Sequence, residues 1–172
     1  MDEQEKTFLA LLESHKRILY KVANTYCANE EEKDDLLQEM TLQLWLSLSN
    51  YNGSSRWSTW IYRIALNTAI SYYRKNKHRL SKTVRCSPVM VLEEDQGRKW
   101  KESDFEQLNH CIKELKELDR ALIILHLDGC STTEIAEIMA ISPTNVTTRI
   151  SRVKKRLRKK LESRNIYGYE HE

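Results

Sequence analysis

The 172-residue chain has only four glycines and two prolines. A many-stranded fold needs more of both for its turns, so the scarcity argues against sandwiches and barrels and leaves strong helix formers to set the structure. Long apolar runs are also missing: none approaches the roughly 20 residues that cross a bilayer, and the charged start MDEQEK does not read as a secretory signal. The four cysteines, Cys27, Cys86, Cys111 and Cys130, form no CxxC pair. They read as reduced thiols of a cytoplasmic protein with no direct membrane insertion. His110 beside Cys111, and His126 four residues before Cys130, supply too few ligands for a zinc site, so neither metal nor cofactor is expected. No glycine-rich phosphate loop, HExxH or nucleophile motif occurs, which argues against an enzyme.

The most informative absence is of negative charge. Residues 40–92 contain no Asp or Glu against eight Lys or Arg, and residues 141–164 carry nine basic residues and one acid, Glu162. The net charge of +3 hides this segregation. Two basic zones set against an acidic N-terminal third point to a polyanion bound at two places.

Hydrophobic spacing predicts helices throughout. Over residues 5–27, Phe8, Leu11, Leu12, Ile18, Leu19, Val22, Ala23 and Tyr26 recur as the core side of an amphipathic helix. Residues 28–33 read as a polar break, followed by a second helix over about 34–49. There Leu36, Leu37, Met40, Leu44 and Leu48 cover one side, while Leu42, Trp45 and Leu46 share a flank with Asp35, Gln38 and Glu39. Such a helix is either sandwiched within its own domain or docked on a basic partner. Residues 50–55, with Gly53, form a loop, and Ser58 or Thr59 is the expected cap of a third helix.

That third helix, WSTWIYRIALNTAISYYRK (57–75), gathers Ile61, Tyr62, Ala65, Leu66, Ala69, Tyr72 and Tyr73 on one side. Trp60, Arg63, Asn67, Ser71 and Arg74 fall on the other, a set able to hold phosphates and stack an unpaired base. An ordinary amphipathic helix with a solvated face fits the same pattern. Periodicity fades in residues 78–104, which hold Pro88 and Gly97. The reading is an all-α fold: two small helical domains, 1–80 and 105–165, joined by a flexible linker at 81–104 with local helix near 89–94.

In the second domain Phe105, Leu108, Cys111, Ile112, Leu115 and Leu118 space one helix, and Ala121, Ile123, Ile124, Leu125 and Leu127 a second, ended by Asp128 and Gly129. Ser131 or Thr132 then caps a short helix with Ile135, Ala136, Ile138 and Met139 inward. Residues 140–143 turn, and a last helix runs from Thr144. Its seam is Val146, Ile150, Val153, Leu157 and Leu161; opposite lie Thr144, Thr148, Ser151, Arg152, Lys155 and Lys159, with Arg149 and Arg156 on the flank. This is helix-turn-helix spacing, with a polar, basic outer face suited to a major groove. A helical hairpin with a solvated basic face is the plainer alternative.

On these residues the chain resembles a bacterial extracytoplasmic-function sigma factor, a compact two-domain initiation subunit of RNA polymerase. DDLLQEMTLQLW (34–45) is similar to the family's polymerase-binding segment, residues 57–75 to its promoter-melting segment, and STTEIAEIMAISPTNVTTRISRVKKRL (131–157) to its upstream-element reader. The resemblance implies that Asp35, Leu36, Gln38, Glu39, Leu42 and Trp45 bind core polymerase. It implies that Trp57, Trp60, Arg63, Asn67, Ser71 and Arg74 contact the opened −10 element, and that Thr144, Asn145, Thr148, Arg149, Arg152 and Lys155 hold the −35 duplex. The implied partners are core RNA polymerase, through the clamp of its largest subunit and the flap of its second, promoter DNA, and an anti-sigma factor. A helix-turn-helix regulator with an N-terminal ligand-sensing or dimerisation domain is the other function these elements allow.

Overall fold

The computed structural model describes residues 3–80 and 102–168, all of whose regular structure is helical. The expected linker helix at 89–94, and most of the linker itself, lie outside the described residues. The chain divides into two compact units, residues 1–87 and 88–172, each with its own core.

The N-terminal unit contains α1 (Glu3–Tyr26), α2 (Glu30–Ser47) and α3 (Trp57–Leu80), with a 3-10 turn at Leu48–Asn50. Helix α1 buries Phe8, Leu11, Ile18, Leu19, Val22, Ala23 and Tyr26, close to its expected seam. Helix α2 begins earlier than expected, inside the segment read as a break. The Asn29 side chain accepts from the Glu32 backbone N–H at 2.8 Å, and the Glu32 carboxylate accepts in return from the Ala28 N–H at 3.0 Å. Two otherwise orphaned donors are satisfied, and Glu30, Glu31 and Glu32 sit at the positive end of the helix dipole. Helix α3 starts at Trp57, so Ser58 and Thr59 lie inside its first turn and do not cap it.

Helix α3 packs on both α1 and α2. Ala65 and Ala69, both fully buried, let the neighbouring backbones come close, while Ile61, Tyr62, Leu66 and Ile70 fill the space around them. Tyr73 meets Tyr26 edge-on, with ring centroids 6.1 Å apart.

The C-terminal unit contains α4 (Glu102–Lys113), α5 (Glu117–Leu127), α6 (Thr132–Met139) and α7 (Pro143–Gly168). Helix α4 therefore starts within the segment read as linker. Residues Arg120–Leu125 of α5 are all buried, so this helix is the centre of the unit. The buried Arg120 guanidinium donates to the carbonyls of Lys113 and Leu115, satisfying acceptors where α4 ends. Ser131 caps α6 in a full capping box with Glu134. Ala140 then takes a left-handed conformation, φ 53°, to close the helix. Ser142 accepts from the Asn145 N–H at 3.2 Å, and Pro143 opens α7 one residue before its expected start. Val146, Ile150, Val153 and Leu157 are buried as expected.

Two residues of α2 should behave oppositely. Leu36→Ala removes a side chain with no exposed surface and is expected to cost about 2–5 kcal/mol in urea unfolding. Leu42→Ala, at a residue 49% exposed, should stay within about 0.5 kcal/mol. Equal losses would put Leu42 in the core.

Candidate nucleic-acid and partner-binding surfaces

Helix α2 has a buried edge of Leu36, Met40 and Leu44 and an outer strip of Asp35, Gln38, Glu39, Leu42 and Leu46. The expected partner-binding set is thus corrected at Leu36: its side chain points inward and cannot touch a partner. Leu46, 58% exposed, takes its place on the outer strip. Leu42 and Leu46 are four residues apart and share one face. Trp45 is half-buried, edge-on against Phe8 with ring centroids 5.0 Å apart. Phe8, Leu37, Thr41, Leu42 and Trp45 line a shallow, largely apolar depression beside this strip.

An open groove of about 890 Å³ runs between α2 and α3. Its α2 wall carries Asp35, Gln38, Glu39 and Leu42, and its α3 wall Asn67, Ser71 and Lys75. Residues that the sequence assigns to two separate sites therefore face each other across one channel. Arg63 and Arg74 are not among its lining residues.

Trp60 is the second correction. It falls on the polar side of the helical wheel, yet it is only 8% exposed. The chain entering α3 folds back over the first turn: Tyr51 stacks on Trp57 at 3.7 Å, and Trp60 sits beneath them with centroids 5.3 Å from Tyr51 and 5.6 Å from Trp57. Trp57 is half-buried and keeps one side accessible, while Arg63 is half-buried and Asn67, Ser71 and Arg74 are exposed. Tyr51 belongs to this aromatic cluster and was not foreseen, because a helical wheel begins only where the helix does.

In the C-terminal unit Thr144, Asn145, Thr148, Arg152 and Lys155 are exposed on the outer side of α7. The Thr148 hydroxyl donates to the Thr144 carbonyl at 2.9 Å, leaving its methyl and lone pairs outward. Arg149 departs from its expected place on the DNA face. Its guanidinium donates to Asp119 of α5 at 2.9 Å. Near the end of α5, burial and the nearby Lys154 charge lower the His126 pKa, and burial raises that of Asp128. Among the described residues, no three His, Cys, Asp or Glu side chains gather as a metal site.

Two helical units, one closing on a basic helix-turn-helix, define a DNA-binding architecture. Residues 11–79 match the sigma-70 region 2 family and residues 105–157 the sigma-70 region 4 family. The chain is 29% identical over 170 residues to the ECF RNA polymerase sigma factor SigW of Bacillus subtilis, covering 91% of this chain and 90% of that one. It is 30% identical over 135 residues to SigZ of the same organism, covering 75% and 72%. Among solved structures, CnrH in complex with the cytosolic domain of CnrY matches with a TM-score of 0.67 at 21% identity, covering 92% of this chain and 90% of CnrH. RpoE of Bartonella quintana, in complex with the anti-sigma factor NepR, matches at 0.64 and 19%, covering 92% and 96%. The chain belongs to the extracytoplasmic-function sigma factors of the sigma-70 family. It is a promoter-directing subunit of transcription initiation, not an enzyme, and among its described residues no helix is long and apolar enough to cross a membrane.

The aromatic cluster makes a distinguishing prediction. Trp60→Ala should lower the stability of the N-terminal unit by about 3–5 kcal/mol, as a buried aromatic does, and Trp57→Ala by clearly less. Thermal unfolding followed by circular dichroism measures both; a silent Trp60→Ala would return that ring to the surface.

Proposed function

We propose that the three outer surfaces divide the work of initiation. The α2 strip, with Leu42 and Leu46 exposed among Asp35, Gln38 and Glu39, docks on the clamp of core RNA polymerase. Exposed apolar side chains ringed by carboxylates suit a partner that combines aliphatic surface with basic residues. This exposed strip is the observation that carries the reading, because a free-standing helical domain has no structural use for it. The region 4-like unit, residues 105–165, also meets the flap of the second-largest subunit.

The −10 element is captured by Trp57, Arg63, Asn67, Ser71 and Arg74. The ring of Trp57 stacks on a base freed from the duplex, at about 1–3 kcal/mol per stacked base, while the arginines hold the strand. Melting is a binding exchange: unstacking is offset by contacts that exist only for the open strand. Trp60 acts as the floor under Trp57. The −35 element stays double-stranded on α7, where Arg152 and Lys155 meet phosphates and Thr144, Asn145 and Thr148 meet base edges. The protein works in the cytoplasm. An anti-sigma factor covers the docking surface in the resting cell, a reading supported by the two structural relatives, which are complexed with CnrY and with NepR. The alternative of a ligand-sensing regulator leaves the region 2 match over residues 11–79 without a use.

Transcription on chromosomal DNA with purified core polymerase tests the whole scheme. Added protein should generate new start sites that share an upstream element, and Leu42→Asp with Leu46→Asp should weaken core binding at least tenfold without unfolding the chain. Failure to associate with core would overturn the docking assignment. For the opened strand, Trp57→Ala should lower permanganate reactivity of promoter thymines while leaving duplex binding intact; equal reactivity would remove Trp57 from strand capture.

A further inference from the structure

The basic face of α7 is smaller than its sequence implies. Arg149, Arg156 and Lys160 are seven and four residues apart, so they form one column along the helix flank. All three are bound to acids of the same unit. Asp119 accepts from Arg149 at 2.9 Å through Oδ1 and from Arg156 at 3.1 Å through Oδ2. Lys160 pairs with Glu114. By contrast, none of the described acids pairs with Arg152, Lys155 or Lys159, on the outer side of the same helix.

We propose that Asp119 is a specificity-setting positioning residue: it withholds Arg149 and Arg156 from DNA phosphate and fixes the roll of α7, so that only its outer face reaches the duplex. This rests on the assignment of α7 as the duplex reader and deepens it. The Asp119 side chain is 15% exposed and that of Arg149 26%. Moving either arginine to a phosphate weakens the neutralisation of a carboxylate that is largely out of water, and moving both strands it, a cost that Arg152 and Lys155 do not carry. One carboxylate engaging both cations, each through a separate oxygen, also ties two positions of α7, about two turns apart, to the first turn of α5. Phosphate contacts from the flank would strengthen binding to any sequence equally. Removing them leaves a larger share of the binding energy to the residues that meet base edges.

The test is a salt titration of the full-length protein on a mixed-sequence duplex oligonucleotide. Asp119→Asn should steepen the slope of log Kobs against log salt by about 0.9 for each arginine released. Glu106→Gln, at an exposed α4 residue, makes the same charge change and should leave the slope alone. Arg156→Gln should not alter the slope in the natural chain, but should reduce it by about 0.9 in the Asp119→Asn background. If Asp119→Asn does not fold, Arg156→Gln in the natural chain decides: an unchanged slope supports the role, and a fall of about 0.9 overturns it. Arg152→Ala reads the underlying assignment and should lower the slope by about 0.9. A response to Arg152→Ala with none to Asp119→Asn overturns the Asp119 role alone. Absence of duplex binding by every variant overturns both.

Discussion

The packing of α3 against two helices at once is the constraint from which the N-terminal unit follows. It packs on α1 through one side and on α2 through another, and Ala65 and Ala69 have no exposed surface at the points of approach. Asn67, Ser71, Arg74 and Lys75 remain exposed on its outer side, with Arg63 half-buried beside them. The backbone beneath these side chains is held by Ile61, Ala65, Leu66, Ala69 and Ile70, all buried on the same helix. The surface assigned to strand capture is therefore as rigid as the hydrophobic packing beneath it, which suits a site that must be formed before the strand arrives.

The same packing brings α2 and α3 into a shared groove, with consequences for charge. Asp35 and Glu39 stand opposite Asn67, Ser71 and Lys75, and Arg63 and Arg74 are not among the lining residues. A phosphate backbone laid along the groove would meet the α2 carboxylates on one wall. Asn67 and Ser71 thus belong both to the wall of this groove and to the set assigned to strand capture, so the surfaces proposed for docking and capture adjoin within one small unit.

The fold was legible in the sequence wherever one helix had to bury one stripe. The seams of α1 and α7, the end of α5 at Asp128 and Gly129, and the helix-turn-helix spacing all follow from periodicity and capping. What a helical wheel lacks is any account of what covers a position from elsewhere. Trp60 lies on the polar side by angle and is buried because Tyr51 and Trp57 close over it. Leu36 belongs to a helix that is apolar on two faces, where periodicity does not say which leucine goes inward. The start of α2 was missed because a run of three acids looks like a loop until Asn29 is recognised as its cap.

Arg149 shows the further limit, that of charge counting. Nine basic residues in residues 141–164 suggest a broad cationic surface, but Asp119 is 30 positions from Arg149 and 37 from Arg156. No local pattern reveals a pairing at that separation. The column Arg149, Arg156 and Lys160 serves the packing of α7 on α4 and α5 as much as any ligand, and it leaves the outer cations to act alone. A reading helix gains selectivity when the charge that cannot discriminate between sequences is engaged within its own domain. Here Asp119 and Glu114 sit where they bind that charge.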